Sequence, residues 1–112
     1  MPYVKIETNV EMRNDKEFCL KASKLVSTLT GKPENYVMIN FKENEVMSFA
    51  GNVDPCVFVE FKSIGIRESD MCDLSRVLTD FLETELRIPG QRIYINFVPV
   101  PSSNWGYNGD TF

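Results

Sequence analysis

Pro2, directly after Met1, is the residue of this chain whose position most clearly suggests chemistry. Removal of Met1 is expected before a small residue such as proline, and it would leave a free secondary amine. Burial and a nearby cation would both lower the pKa of that amine towards neutrality, as suits a base that removes a proton next to a carbonyl group. The alternative is that Pro2 only follows the initiator methionine, as in many proteins.

The absence of histidine from the chain narrows the chemistry further. Histidine is the usual proton shuttle near neutral pH, and without it serine–histidine and cysteine–histidine nucleophiles and most metal sites are excluded. An α-amino group, with an ordinary pKa of about 7.7–8.0, is the group that can exchange protons near neutral pH without a large perturbation. This absence favours Pro2 as a base, with no metal or organic cofactor.

Two further segments are candidates for a binding site. Lys32 lies in the predicted loop after the first helix, where the alternative is a cation that only stabilises the helix C-terminus. Ser63, Ile64 and Gly65 end a predicted strand and present backbone groups at a turn, although a plain strand exit has the same pattern.

The three cysteines indicate no redox or metal site. Cys19, Cys56 and Cys72 form no metal-type pair, and their odd number argues for a reducing compartment rather than a disulfide framework. Val59 stands where a Cys-x-x-Cys motif beginning at Cys56 would need its second thiol. Cys19 and Cys72 lie in predicted helices and are expected to be packed thiols.

Composition predicts one globular domain over residues 1–112, because 43% of the residues are hydrophobic and 25% are charged. The net charge of −4 comes without a basic cluster, so nucleic acid is not an expected partner. No stretch approaches the ~20 apolar residues of a membrane span. The N-terminus lacks the pattern of a secretory signal, so a cytoplasmic location is expected.

The elements that would position these residues form two similar halves, each a strand, a helix and a strand. The predicted elements are strands at 3–7, 36–41, 56–61 and 92–97 and helices at about 15–30 and 69–87. Asn14 with Glu17 resembles a capping box, Gly31 with Pro33 ends the first helix, and 46–49 is a candidate extra strand. Two βαβ units related by a pseudo-twofold predict an α+β fold with one four-stranded mixed sheet and both helices on one face.

Strand alternation separates two faces of this sheet. The residues that suit the helix-covered face are Val37, Ile39, Phe41, Ile93, Ile95 and Phe97, and those on the other face are Tyr36, Met38, Asn40, Tyr94 and Asn96. No third helix remains to cover the second face, so assembly of sheet against sheet is predicted. The aromatic tail, with Trp105, Tyr107 and Phe112, is expected to pack on something, such as a neighbouring subunit.

Several segments together resemble the macrophage migration inhibitory factor (MIF) family of the tautomerase superfamily. They cover nearly the whole chain in the right order and at compatible spacing: Pro2 after Met1, Thr8-Asn9-Val10, Thr30-Gly31-Lys32-Pro33, Asp54-Pro55-Cys56, Ser63-Ile64-Gly65, Arg92-Ile93-Tyr94-Ile95-Asn96-Phe97 and Asn108-Gly109-Asp110-Thr111-Phe112.

The resemblance implies a homotrimer of βαββαβ subunits around a central channel, with active sites at the subunit interfaces. It implies that Pro2 is the base, that Lys32 and the Ser63–Ile64 turn bind the substrate carboxylate, and that Tyr94 and Asn96 enter from the adjacent subunit. Trp105, Tyr107 and Phe112 would shape the pocket. The implied reaction is cofactor-independent keto–enol tautomerisation of phenylpyruvate-type 2-keto acids and dopachrome-like compounds.

Some members of that family are secreted cytokines without a signal peptide. The alternative is therefore a receptor-binding signalling protein in which the chemistry is vestigial. Differences from the family pattern include Val59 in place of a cysteine, Lys62 in place of a histidine, and the bulky Tyr3, Trp105 and Tyr107 around the expected pocket. These residues predict altered pocket shape and substrate range.

Overall fold

The computed structural model describes residues 1–112 and contains two strand–helix–strand units. Its main elements, in chain order, are β1 (Tyr3–Thr8), α1 (Asp15–Thr30), β2 (Met38–Lys42), β3 (Val57–Ser63), α2 (Glu68–Leu86) and β4 (Ile93–Pro99), followed by the short strands β5 (Gly106–Tyr107) and β6 (Asp110–Thr111). Short 3₁₀ turns occupy Glu34–Tyr36, Gly90–Arg92 and Ser102–Asn104. The predicted α+β fold is confirmed.

The four main strands form one mixed sheet in the order β2-β1-β3-β4. β1 pairs in parallel with β2, and β3 pairs in parallel with β4. The antiparallel β1–β3 pair, with Ile6 opposite Val59, joins the two βαβ units at the centre. The pseudo-twofold arrangement predicted from the repeat is therefore present.

Both helices cover the same face of the sheet. Each presents a stripe of buried side chains at spacings of four residues, which places them on one helix face: Phe18, Ala22 and Val26 in α1, and Leu74, Leu78, Leu82 and Leu86 in α2. The predicted inward residues of β2 and β4 pack against this core. Met38 and Tyr94, predicted on the other face, are 63% and 61% exposed. Neither helix is both long and apolar enough to cross a bilayer.

Three local predictions are wrong for identifiable reasons. Asn14 is the N-cap of α1 but its side chain makes no capping hydrogen bond, so there is no capping box. Tyr36 lies in a 3₁₀ turn rather than in β2, which begins where the Met38 amide donates to the Pro2 carbonyl at 3.0 Å. No strand forms at 46–49, where only Phe49 makes an isolated bridge, with Asn52. In addition, Cys72 is exposed on α2 rather than packed.

Candidate active site

The chain terminus is fixed between β1 and β2. Pro2 is buried at the start of β1, and its carbonyl accepts the Met38 amide at 3.0 Å. The amino group of Met1 donates to the Tyr36 carbonyl at 2.9 Å. The Met1 amino group and the Pro2 carbonyl, which lie on either side of the Pro2 nitrogen, are thus both hydrogen-bonded to the segment 36–38. The Pro2 nitrogen therefore has a defined position in the fold.

The environment of the terminus disfavours a positive charge. Burial lowers the pKa of the Met1 amino group below its usual value, and the charge of Lys32 lowers this pKa further. An amine at this terminus thus loses its proton more readily than one in water. Both causes favour the neutral form of the Met1 amino group.

An aromatic cavity of about 350 Å³ surrounds Pro2. This N-terminal cavity is lined by Met1, Pro2, Tyr3, Asn35, Tyr36, Val37, Met38, Trp105, Gly106, Tyr107 and Phe112. The tail thus contributes all three of its aromatic residues to the lining of this cavity.

Tyr36 anchors the aromatic tail to this cavity. Its ring meets Tyr107 edge-on at 5.4 Å and Phe112 edge-on at 5.7 Å, while Tyr107 and Phe112 stack at 5.4 Å. The β5–β6 hairpin turns at Asn108 and Gly109, both with positive φ, and so returns the chain end to Tyr36. The prediction that the tail packs is confirmed, and it packs on its own chain.

A second cavity, of about 580 Å³, lies between the C-terminus of α1 and the turn into α2. Lys32, Ser63 and Ile64 all line this Lys32 cavity. Gly31 caps α1 in the left-handed conformation, and the Ser27 hydroxyl donates to the Lys32 carbonyl at 2.6 Å, so the Lys32 backbone is fixed. The charge of Lys32 also reaches the chain terminus, where it lowers the pKa of the Met1 amino group in addition to the effect of burial.

Lys32 is a cation without a partner in this chain. All the salt bridges of the structure involve other side chains, whereas Lys32 is half-buried at the edge of its cavity. Gly65, with φ of 84°, turns the chain after Ile64 and leaves backbone groups facing the same cavity. A charged group with an open partner position beside a cavity can bind an acidic ligand.

Tyr94 and Asn96 do not join Pro2 within one chain. Tyr94 on β4 is the register partner of Phe58 on β3, and Phe58 is the register partner of Glu7 on β1. Glu7 is about five residues from Pro2, which is roughly 16 Å along a strand, and Tyr94 lies two strands to the side. Both side chains stand exposed on the open face of the sheet instead.

Tyr36 is the site residue that the sequence reasoning missed. Strand alternation predicts Tyr36 on the open sheet face and gives it no role, yet its carbonyl binds the terminus and its ring contacts the tail. The internal repeat is the sequence signal for it, because Tyr36 occupies the position equivalent to Tyr94, a predicted site residue. No three His, Cys, Asp or Glu side chains come together as metal ligands.

The chain is similar to known proteins in both sequence and structure. Residues 1–112 match the sequence profile of the family described as macrophage migration inhibitory factor (MIF). The chain is 39% identical over 118 positions to a MIF homolog of Brugia malayi, covering 100% of this chain and 99% of the relative. It superposes on a MIF homologue from Prochlorococcus marinus with a TM-score of 0.92 and 38% identity, covering 98% of each chain. The MIF structure from Trichinella spiralis gives a TM-score of 0.92 at 35% identity, covering 98% of this chain and 99% of the other.

Proposed function

The chain belongs to the macrophage migration inhibitory factor family, and on that basis we propose that it is a cofactor-independent keto–enol tautomerase with Pro2 as its base. The observation that carries this proposal is the buried position of Pro2 in an aromatic cavity, next to the Met1 amino group, whose pKa is lowered by burial and by the charge of Lys32. Removal of Met1 converts the Pro2 nitrogen from an amide into a basic secondary amine.

The proposed reaction moves one proton within the substrate. The neutral Pro2 amine removes a proton from the carbon next to the keto group of a phenylpyruvate-type 2-keto acid or a dopachrome-like compound. The C–H electron pair forms the carbon–carbon double bond of an enolate, and the protonated amine then delivers the proton to the enolate oxygen. No oxidant, metal or other cofactor is needed, because the product is an isomer of the substrate.

The two cavities suit the two ends of such a substrate. The unpaired cation of Lys32, together with the Ser63–Ile64 turn, binds the carboxylate end. The aromatic wall formed by Trp105, Tyr107 and Phe112 holds the apolar ring. Pro2 lines the aromatic cavity itself, so a substrate whose ring binds there has its α-carbon near the base.

We propose that the active protein is a homotrimer whose sheets surround a central channel. The uncovered sheet face, with Met38 and Tyr94 more than half exposed, supports an assembly that buries it. In the trimer Tyr94 and Asn96 of one subunit reach the Pro2 cavity of the next and hydrogen-bond the substrate or the enolate. Their separation from Pro2 in their own chain supports this arrangement.

A second candidate function is suggested by the names of the relatives, which describe a factor that inhibits macrophage migration. In this alternative the chain is a cytoplasmic protein released by a signal-peptide-independent route, and it binds a cell-surface receptor. An N-terminal extension distinguishes the two functions, because it blocks the Pro2 amine and abolishes catalysis. A cell response that survives the extension indicates a receptor surface separate from the tautomerase site.

Phenylpyruvate tautomerisation, followed by ultraviolet absorbance on protein shown by mass to lack Met1, tests the main proposal. Pro2→Gly is expected to lose the activity while it remains folded and trimeric. The matched control is Pro89→Gly, which changes an exposed proline in the turn equivalent to that of Pro33. This variant is expected to keep the tautomerase activity. Full activity in a trimeric Pro2→Gly protein would exclude Pro2 as the base.

A further inference from the structure

Arg92, the last residue of the 3₁₀ turn before β4, holds the loop between β2 and β3 in place. Its Nε donates to the Pro55 carbonyl at 2.9 Å, Nη1 to the Phe49 carbonyl at 3.1 Å and Nη2 to the Asp54 carbonyl at 3.0 Å. All three guanidinium nitrogens therefore bind backbone oxygens of this loop, residues 43–56. A lysine offers one nitrogen and cannot reproduce this planar arrangement.

A second side chain fixes the same loop from the end of β1. Asn9 donates from Nδ2 to the carbonyls of Val53 and Asp54, both at 3.1 Å, and its Oδ1 accepts the Cys56 amide at 2.9 Å. The loop is thus attached along its second half to both β1 and β4. Side-chain hydrogen bonds, rather than strand pairing, hold this half of the loop to the rest of the fold.

The anchored loop presents one aromatic ring, that of Phe49. Phe49 and Asn52 exchange two backbone hydrogen bonds, of 2.9 and 3.2 Å, around a turn at Ala50 and Gly51, both with positive φ. The Arg92 guanidinium lies over the Phe49 ring, 5.2 Å from its centroid. The Phe49 backbone and ring are therefore both held by Arg92.

The Phe49 ring packs on Tyr94 across a centroid distance of 4.6 Å and an angle of 58°. It is the aromatic partner of Tyr94 in this chain, and the Tyr94 side chain is otherwise 61% exposed on the open sheet face. An exposed tyrosine without such a partner would sample several side-chain orientations. The contact thus limits the directions in which the Tyr94 hydroxyl can point.

We propose that Arg92 and Phe49 are positioning residues, which orient Tyr94 for the active site of the adjacent subunit. The inference rests on the proposed function, in which Tyr94 contacts the substrate bound next door. Arg92 acts through Phe49, and Phe49 acts through Tyr94, so neither residue touches the substrate. Without either residue, the Tyr94 side chain is ordered only when substrate binds, and the entropy lost in this ordering weakens binding. We therefore expect kcat/KM to fall roughly 2- to 10-fold.

The test measures kcat and KM for phenylpyruvate in Arg92→Lys and Phe49→Leu, each with and without Tyr94→Ala. We expect each change to raise KM and lower kcat/KM when Tyr94 is present and to have no further effect when Tyr94 is alanine. Phe49→Tyr, which keeps the ring, is expected to retain wild-type kinetics. Arg76→Lys, at an exposed arginine paired with Asp73, is the matched control.

An equal loss of kcat/KM in both backgrounds would overturn the proposal, as would wild-type kinetics in Phe49→Leu. The nuclear magnetic resonance signal of the Tyr94 ring gives a readout that is independent of activity. Phe49→Leu is expected to shift this signal. An unchanged signal would overturn the proposal. Failure of the proposed function has a separate signature, namely undiminished activity in Pro2→Gly.

Discussion

The aromatic tail is expected to depend on Phe112, which contacts Tyr36 and also stacks on Tyr107 within the tail. Phe112→Ala removes two ring contacts, with Tyr36 and Tyr107, and each such pair contributes about 0.5–1.5 kcal/mol beyond the area it buries. The sum is about 1–3 kcal/mol, and because the side chain is 36% exposed we take the lower part, about 1–2 kcal/mol. Opening of residues 105–111 should then become roughly 5- to 30-fold more frequent.

Amide hydrogen exchange of the tail, followed by mass spectrometry, measures this opening directly. We expect the exchange of 105–111 to accelerate by that factor, whereas the midpoint of global unfolding changes little, because the tail lies outside the main core. Leu20→Ala, which truncates an exposed apolar side chain on α1, is the control and should leave tail exchange unchanged. Unchanged tail exchange in Phe112→Ala would refute the role assigned to these ring contacts.

Three other changes have defined expected results. Lys32→Met removes a charge that, after burial, lowers the pKa of the Met1 amino group. We expect the same charge to act on the Pro2 amine of the processed chain, so its loss should move the acid limb of the kcat/KM profile to higher pH; an unmoved limb would contradict the role of Lys32. Leu82→Ala, at a side chain 1% exposed, should lower the free energy of unfolding by about 2–5 kcal/mol in urea titrations, against less than about 0.5 kcal/mol for the exposed Leu20→Ala. Both helices end in a residue with left-handed backbone, Gly31 with φ of 69° and Arg87 with φ of 56°. Because glycine adopts this conformation at the lowest cost, Arg87→Gly should stabilise the protein and Gly31→Ala should destabilise it, each by about 1 kcal/mol. Thermal unfolding measures both changes, and shifts of the melting temperature in the same direction would contradict this reasoning.

The elements with strong periodicity could be predicted from the sequence. The Phe18–Ala22–Val26 spacing identifies α1, and the alternation around Ile39 and Ile95 assigns the covered face of the sheet, because side-chain burial depends on period alone. The repeat of strand, helix and strand then restricts the topology. The open face at Tyr94 follows from the lack of a third helix.

The errors occur where local chemistry competes with the pattern. Tyr36 has the alternation of a strand, but the turn after Pro33 satisfies its backbone in a 3₁₀ arrangement instead. The 46–49 segment is similarly organised by the side chain of Arg92, which lies far away in sequence and donates to the Phe49 carbonyl. Long-range side-chain hydrogen bonds of this kind leave no periodic signal.

The candidate site could likewise be predicted from the sequence only in part. Pro2 and Lys32 could be proposed as site residues from residue type and family resemblance, and each lines a cavity of the structure. The contribution of Tyr36 depends on the return of the tail through the Asn108–Gly109 turn. That contact joins parts of the chain about 70 residues apart, and only the folded structure shows it.

The activity of the same protein with and without Met1 tests the central claim most directly. While Met1 is attached, the Pro2 nitrogen is an amide and has no basic electron pair, although the fold and both cavities are in place. Phenylpyruvate tautomerisation should therefore be absent from the Met1-bearing protein and should appear in proportion to the processed fraction measured by intact mass. Equal rates per subunit in the two forms would contradict the assignment of the Pro2 amine as the base.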